Sequence, residues 1–184
     1  MLAVGVSEYQ DMVDRIEDAV GHIGDSDVII GNATDLYWKA PVKGLADFVR
    51  LRKNPDGAQI TMKSTDRGDS IDRVEIDLEV DDYKQARELM LALHGEPMAE
   101  VTKRYHVFFL ENRDTTISVY QIKNDDRVFV EVEARNLRRL KQLVRLIATD
   151  RRTEYEWVSS SVFSMFVQKK KMMTKSLLEF LEGT

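Results

Sequence analysis

Hydrophobic and polar positions alternate along this chain with two different periods, and the points where one gives way to the other mark its elements. Apolar residues at Tyr9, Met12, Val13, Ile16, Ala19, Val20 and Ile23 recur at helical spacing, and Ser7 with Gln10 has the form of a capping box. A helix is therefore expected from Ser7 to Ile23. A second, capped by Asp81 or Asp82, places Tyr83, Ala86, Leu89, Met90 and Leu93 on one side and stops at Gly95 with Pro97 beyond. A third runs from Asn136 to Ala148 on Leu137, Leu140, Val144 and Ile147, and the tail from Met172 to Leu181 is expected to form a fourth.

Between these helices the period falls to two. Strands are expected near Asp35 to Trp38, Phe48 to Lys53, Gln59 to Lys63, Arg73 to Val80, Val101 to Leu110, Thr115 to Lys123 and Arg127 to Glu133, with a further one from Ser161 to Gln168. Asn54-Pro55-Asp56-Gly57 and Asn124-Asp125-Asp126 are short polar turns, so the strands they join should be antiparallel. Thr65 to Ser70 is a polar loop.

Length and composition narrow the chemistry. With 184 residues, 43% of them hydrophobic, the chain fits one domain, residues 1–184, around one core. It has no cysteine and only three histidines, His22, His94 and His106, so a bound metal should be a hard, oxygen-held ion such as Mg²⁺ or Mn²⁺. No apolar run is long enough for a membrane helix and no signal-peptide pattern opens the chain, which leads us to expect a cytoplasmic protein with no membrane partner. A net charge of -5 argues against broad nucleic-acid binding, so a charged ligand needs a local site.

The candidate site lies in the alternating strands. Arg73, Glu75, Asp77 and Glu79 fall on one side of their strand, opposite Val74, Ile76, Leu78 and Val80. Glu131 and Glu133 do the same opposite Val128, Val130 and Val132, while Arg50, Arg52 and Lys63 supply cations at matching positions. Taken one at a time, these are ordinary half-buried strands with a solvated polar side. Taken together, they suit strands closed into a barrel whose charged faces point inward and whose lining is neutralised by a polyanion and its metal ions. His106 is read as a packed or surface residue, and no P-loop, dinucleotide turn or serine nucleophile motif occurs.

In order, the segments are Asp35-Leu36-Tyr37, Arg50-Leu51-Arg52, Thr61-Met62-Lys63, Arg73-Val74-Glu75-Ile76-Asp77, Lys103-Arg104 and Glu131-Val132-Glu133. This ordered set, spanning roughly residues 1 to 168, resembles the CYTH family of triphosphate tunnel proteins, which includes class IV adenylyl cyclases, thiamine and inorganic triphosphatases and, more remotely, tunnel-type RNA triphosphatases. The resemblance implies an α+β fold, an antiparallel β-barrel (tunnel) of about eight strands with helices packed outside. It implies substrate binding by Arg50, Arg52, Lys63, Arg73, Lys103 and Arg104, metal binding by Glu75, Asp77, Glu131 and Glu133, and catalytic roles for Glu75, Glu131 and Lys63. The function implied is a metal-dependent triphosphate phosphohydrolase using Mg²⁺ or Mn²⁺; a class IV-type adenylyl cyclase and a non-catalytic triphosphate-binding protein are the alternatives. The partner would be a small-molecule triphosphate or an RNA 5′ end, and a homodimer is left open. Two features depart from the family. Where an N-terminal E-x-E-x-K strand is expected, only Leu2 to Val6 stands, so either the start is displaced or two metal ligands are absent; and Ile117 to Ile122 carries no aspartate.

Overall fold

The computed structural model describes residues 1–5, 9–21, 27–40, 48–55, 57–63, 75–110, 114–148, 156–158, 174–175 and 181. The expected strand at Ser161 to Gln168, the loop at Thr65 to Ser70, and Ser7, Ile23, Arg73 and Val74 lie outside these residues. Two compact units are formed. Among the described residues, the first holds everything up to Gly31 and from Lys103 onward, and the second holds Asn32 to Thr102. No helix among the described residues is long and apolar enough to cross a membrane.

In the second unit, β2 (Asp27–Lys39) from Asn32 onward, β3 (Phe48–Asn54), β4 (Gly57–Lys63) and β5 (Glu75–Val80) form an antiparallel meander in that order. The helix α2 (Tyr83–His94) follows, and then the start of β6 (Ala99–Leu110). Asn54 pairs with Gly57 across the β3–β4 turn, as the turn residues require. The apolar side of this meander, Leu36, Trp38, Val49, Leu51 and Ala58, packs against Ala86 and Met90 of α2. Asp82 starts α2 by accepting from the backbone N–H groups of Lys84 and Gln85, and Gly95, at φ 74°, ends it. Trp38 Nε1 donates to the Gly95 carbonyl at 2.8 Å and the Met98 N–H donates to the Tyr37 carbonyl at 2.7 Å, which ties the end of α2 to β2.

The first unit contains β1 (Leu2–Gly5), α1 (Tyr9–Gly21), the rest of β6, β7 (Thr115–Ile122), β8 (Arg127–Ala134), α3 (Leu137–Ile147), β9 (Glu156–Val158) and β10 (Thr174–Lys175). Its strands lie in the order β10-β9-β1-β8-β7-β6. The core lies between one side of β6–β8 and both helices: Met12, Ile16, Val119, Val128, Val130, Leu143 and Val144 are almost wholly buried. Asn124, at φ 66°, turns β7 into β8, and Asp125 accepts from the Arg127 N–H at 2.9 Å.

The α+β architecture and antiparallel pairing agree with expectation, but the described ladders do not close into a ring. Three local expectations are corrected. Thr174–Lys175 pairs with β9, so ladder hydrogen bonds override the expected helix at these two residues; Leu181 is helical, and the rest of Met172 to Leu181 lies outside the described residues. The Leu89 and Leu93 side chains are exposed in the C-terminal half of α2, because the buried stripe is only Ala86 and Met90. On β5 the apolar side is open too, with Ile76 55% and Leu78 60% exposed, and among the described residues β5 pairs only with β4.

Asp82→Ala removes both cap bonds of α2 and should cost about 1 kcal/mol in urea denaturation, with Asp82→Asn costing less than half as much.

Candidate functional site

The register of the second unit places three polar rows on the side of the meander opposite its core. Asp35 lies beside Arg52, Arg52 beside Gln59 and Gln59 beside Glu79. Tyr37, Arg50, Thr61 and Asp77 form the next row, and Phe48, Lys63 and Glu75 the third. Burial separates the two readings of these strands. Asp35 is 1%, Arg50 7% and Thr61 0% exposed, so the polar side of β2–β4 is not a solvated sheet face. Glu75, Asp77 and Glu79 on β5 are exposed.

Burial on this scale requires partners. Arg52 donates to both Asp35 oxygens, Nε to Oδ1 at 2.6 Å and Nη2 to Oδ2 at 2.8 Å, a bidentate pair. Tyr37 O–H donates to Asp35 Oδ2 at 3.4 Å; burial and then the Asp35 charge raise its pKa, so it remains a neutral donor. Arg50 Nη2 donates to Thr61 Oγ1 at 2.8 Å, and Thr61 donates to Asp77 Oδ1 at 2.6 Å. Lys63 Nζ lies 2.8 Å from Glu75, whose other oxygen is 3.9 Å from Arg50. Arg50 Nε is buried and finds no hydrogen-bond partner among the described residues. An unpaired buried donor costs about 1–3 kcal/mol, which an incoming anion would recover.

The first unit has its own polar side. Lys103, Tyr105, Ser118, Tyr120 and Glu131 share it, and Thr116 donates to Glu133 at 3.3 Å. The Lys103 ammonium stands 4.7 Å from the centre of the Tyr120 ring. Glu131 and Glu133 are exposed at two-residue spacing. Beside β8 runs β1, paired from Leu2 with Val130 to Gly5 with Arg127, and it carries no carboxylate. Among the described residues no three carboxylates or histidines converge as a ready-made ion cage.

Arg104 parts company with Lys103. It lies on the opposite side of β6, its guanidinium 4.0 Å from the centre of the Tyr9 ring and its Nε donating to Gln121 at 2.9 Å. Tyr9 O–H meets His106 Nδ1 at 2.9 Å on that same helix-covered side. Burial and then the Arg104 charge lower the His106 pKa, against the opposing pull of Glu17 and Asp14.

Thus Arg50, Arg52, Lys63, Glu75 and Asp77 come together on one face of the second unit, and Lys103, Glu131 and Glu133 share a face of the first. Arg73 lies outside the described residues. The residues that sequence reasoning passed over as site members are Asp35, Tyr37, Gln59 and Thr61. Their signal was alternation itself, since each sits two residues from a neighbour on the same face.

No protein-family model matches this sequence, and no curated protein matches it. Solved structures do. HpAC1 from Hippeastrum, whose structure is reported with a dominant triphosphatase activity, superposes with a TM-score of 0.67 at 14% identity, over 92% of this chain and 94% of that one. The PH1819 protein from Pyrococcus horikoshii OT3 gives 0.63 at 17% identity, over 92% and 98%. A Vibrio parahaemolyticus protein named for adenylate cyclase gives 0.57 at 14% identity, over 99% and 96%. At these identities the likeness concerns the fold, which is CYTH-like.

Two predictions follow from the pairs described. Arg52→Met leaves the buried Asp35 carboxylate without its bidentate partner and should destabilise by about 3–5 kcal/mol. Asp35→Asn leaves Arg52, whose side chain is 21% exposed, able to turn to water, and should cost about 1–2 kcal/mol; equal losses in denaturation would refute this asymmetry. His106 should titrate below 6.5 by NMR, and Arg104→Met, which removes the neighbouring positive charge, should move it upward. Because the folded state binds fewer protons, the stability His106 contributes is whole above 6.5 and is lost as pH falls through the folded value. Arg104→Met should weaken that dependence.

Proposed function

We propose that this chain is a metal-dependent triphosphate phosphohydrolase. The observation that carries the reading is the buried Arg50 guanidinium, held on a charged strand face beside Lys63 with its Nε unpartnered among the described residues. A guanidinium in that setting suits a phosphate oxygen through a charge-assisted hydrogen bond. The triphosphatase activity reported for HpAC1 supports the same choice.

Charge balance argues for a cation with the ligand. On the described face, Arg50, Arg52 and Lys63 stand against Asp35, Glu75, Asp77 and Glu79, so a polyanion arriving alone meets no net positive charge and should bind more weakly than one accompanied by a cation. Mg²⁺ is commonly held by one or two carboxylates together with phosphate oxygens, and needs no complete protein cage. Glu131 and Glu133, two hard donors at strand spacing, fit that requirement, as do Glu75, once drawn away from Lys63, and Asp77 through its second carboxylate oxygen, with Oδ1 still accepting from Thr61. When bound, Mg²⁺ or Mn²⁺ would neutralise charge on the phosphoryl groups and lower the pKa of a bound water.

The chain's own residues do the rest. Arg50 and Lys63 hold phosphate oxygens and oppose charge building on the leaving phosphate, and Lys103 is assigned the same task in its unit. Arg52, clamped by Asp35, adds fixed positive charge at low reorganisation cost. Arg104 is not assigned a substrate role, because its guanidinium is taken up by Tyr9 and Gln121. A second reading, a non-catalytic triphosphate-binding protein, is favoured by one observation: β1, next to Glu131, brings no carboxylate.

Incubation with tripolyphosphate, ATP or 5′-triphosphorylated RNA plus Mg²⁺ or Mn²⁺ should release phosphate, giving ADP from ATP. Cyclic AMP with pyrophosphate would make the protein a cyclase, and tight binding without product would select the second reading. Arg50→Met should lower kcat/KM at least 100-fold, and Glu131→Ala should remove most metal-dependent turnover while the protein stays folded. Unchanged turnover in Glu131→Ala would sink the metal assignment.

A further inference from the structure

Thr61 is wholly buried in the middle of the charged face, between the cation on β3 and the carboxylate on β5. Its hydroxyl has one proton to give and lone pairs to receive. Both neighbours fix how these are used. Arg50 has only donors, so Thr61 accepts from its Nη2 at 2.8 Å; Asp77 as a carboxylate has only acceptors, so Thr61 donates to its Oδ1 at 2.6 Å. The Gln59 Oε1 atom, at 3.3 Å, is a longer alternative for the same single proton and loses to the charged acceptor. Arg50 and Asp77 are thus linked through one oxygen whose polarity is set from both ends. An isolated threonine on a strand needs no such arrangement, and its burial would cost stability if either bond failed.

We propose that Thr61 is a positioning residue: through Asp77 it fixes the plane of the Arg50 guanidinium, so that Nε is preset for a phosphate oxygen. The inference rests on the phosphate-binding reading above and assigns the residue that orients its main cation. An arginine side chain has about 2 kcal/mol of rotamer freedom to lose, and a guanidinium already held loses less of it when the ligand arrives.

The test is tripolyphosphate affinity measured by calorimetry without metal, with thermal melting as the folding control. Thr61→Val keeps the shape and removes the hydroxyl; affinity should fall tenfold or more, while Thr61→Ser should stay within about threefold of the parent. Two Asp77 variants apply the same test from an exposed position outside the core, should Thr61→Val fail to fold. Removing a negative charge near an anion site should by Coulomb's law tighten binding. Asp77→Asn keeps an oxygen to accept from Thr61 and should follow that rule, whereas Asp77→Ala releases Thr61 and should weaken binding instead. If Asp77→Ala tightens as much as Asp77→Asn, or Thr61→Val binds like the parent while Arg50→Met does not, Thr61 has no positioning role. If Arg50→Met itself binds like the parent, the phosphate-binding reading fails as well.

Discussion

A guanidinium and a carboxylate leave water only if each finds the other or an equivalent, and the Asp35–Arg52 pair is what lets the polar side of β2–β4 exist as a buried surface. Its two hydrogen bonds satisfy a carboxylate that is almost wholly enclosed. Around it the remaining polar groups fall into pairs: Arg50 with Thr61, Thr61 with Asp77, Lys63 with Glu75. A buried pair of this kind adds little net stability over an apolar core of the same shape. Its retention is better explained by what a rigid charged surface can bind.

Such a surface can be held on strands because the sheet separates its two sides cleanly. In the second unit, the residues that alternate with the charged rows, Leu36, Trp38, Val49 and Leu51, pack under α2 and anchor the strands from behind. In the first, Val119, Val128 and Val130 do so under α1 and α3. The driving force is apolar burial on one side, and the charged side inherits its register from it. A slip of one residue in β3 would drive Arg50 and Arg52 into the apolar layer, so the hydrophobic pattern protects the site as well as the fold.

That coupling explains what the sequence made legible. Arg50, Arg52 and Lys63 could be placed on one face because short turns tie β3 to β4 and period two does the rest. Asp35 could not be recognised as the partner of Arg52, since that depends on a register set across an intervening segment and not on local spacing. The grouping of Lys103 with Arg104 went against the alternation rule used elsewhere: adjacent strand residues point to opposite sides, and Arg104 indeed lies on the helix-covered one. Leu89 and Leu93 misled for the converse reason, because helical periodicity marks an apolar stripe without saying how far the partner sheet extends beneath it.

Strand geometry also sets the reach of the site. Same-face neighbours along a strand stand ~7 Å apart and adjacent strands ~4.8 Å apart, so Arg50, Arg52 and Lys63 lie on a fixed grid and not on a mobile loop. A chain of phosphoryl groups can cross more than one point of such a grid, whereas a single phosphate can satisfy only part of it. The grid says nothing about an organic group attached to the phosphates: no base-stacking or ribose-binding set emerges on the described charged face, whose aromatics Tyr37 and Phe48 pack edge-to-face on each other at 5.3 Å. Under the proposed phosphate-binding reading, discrimination on this face should follow the number and charge of the phosphates.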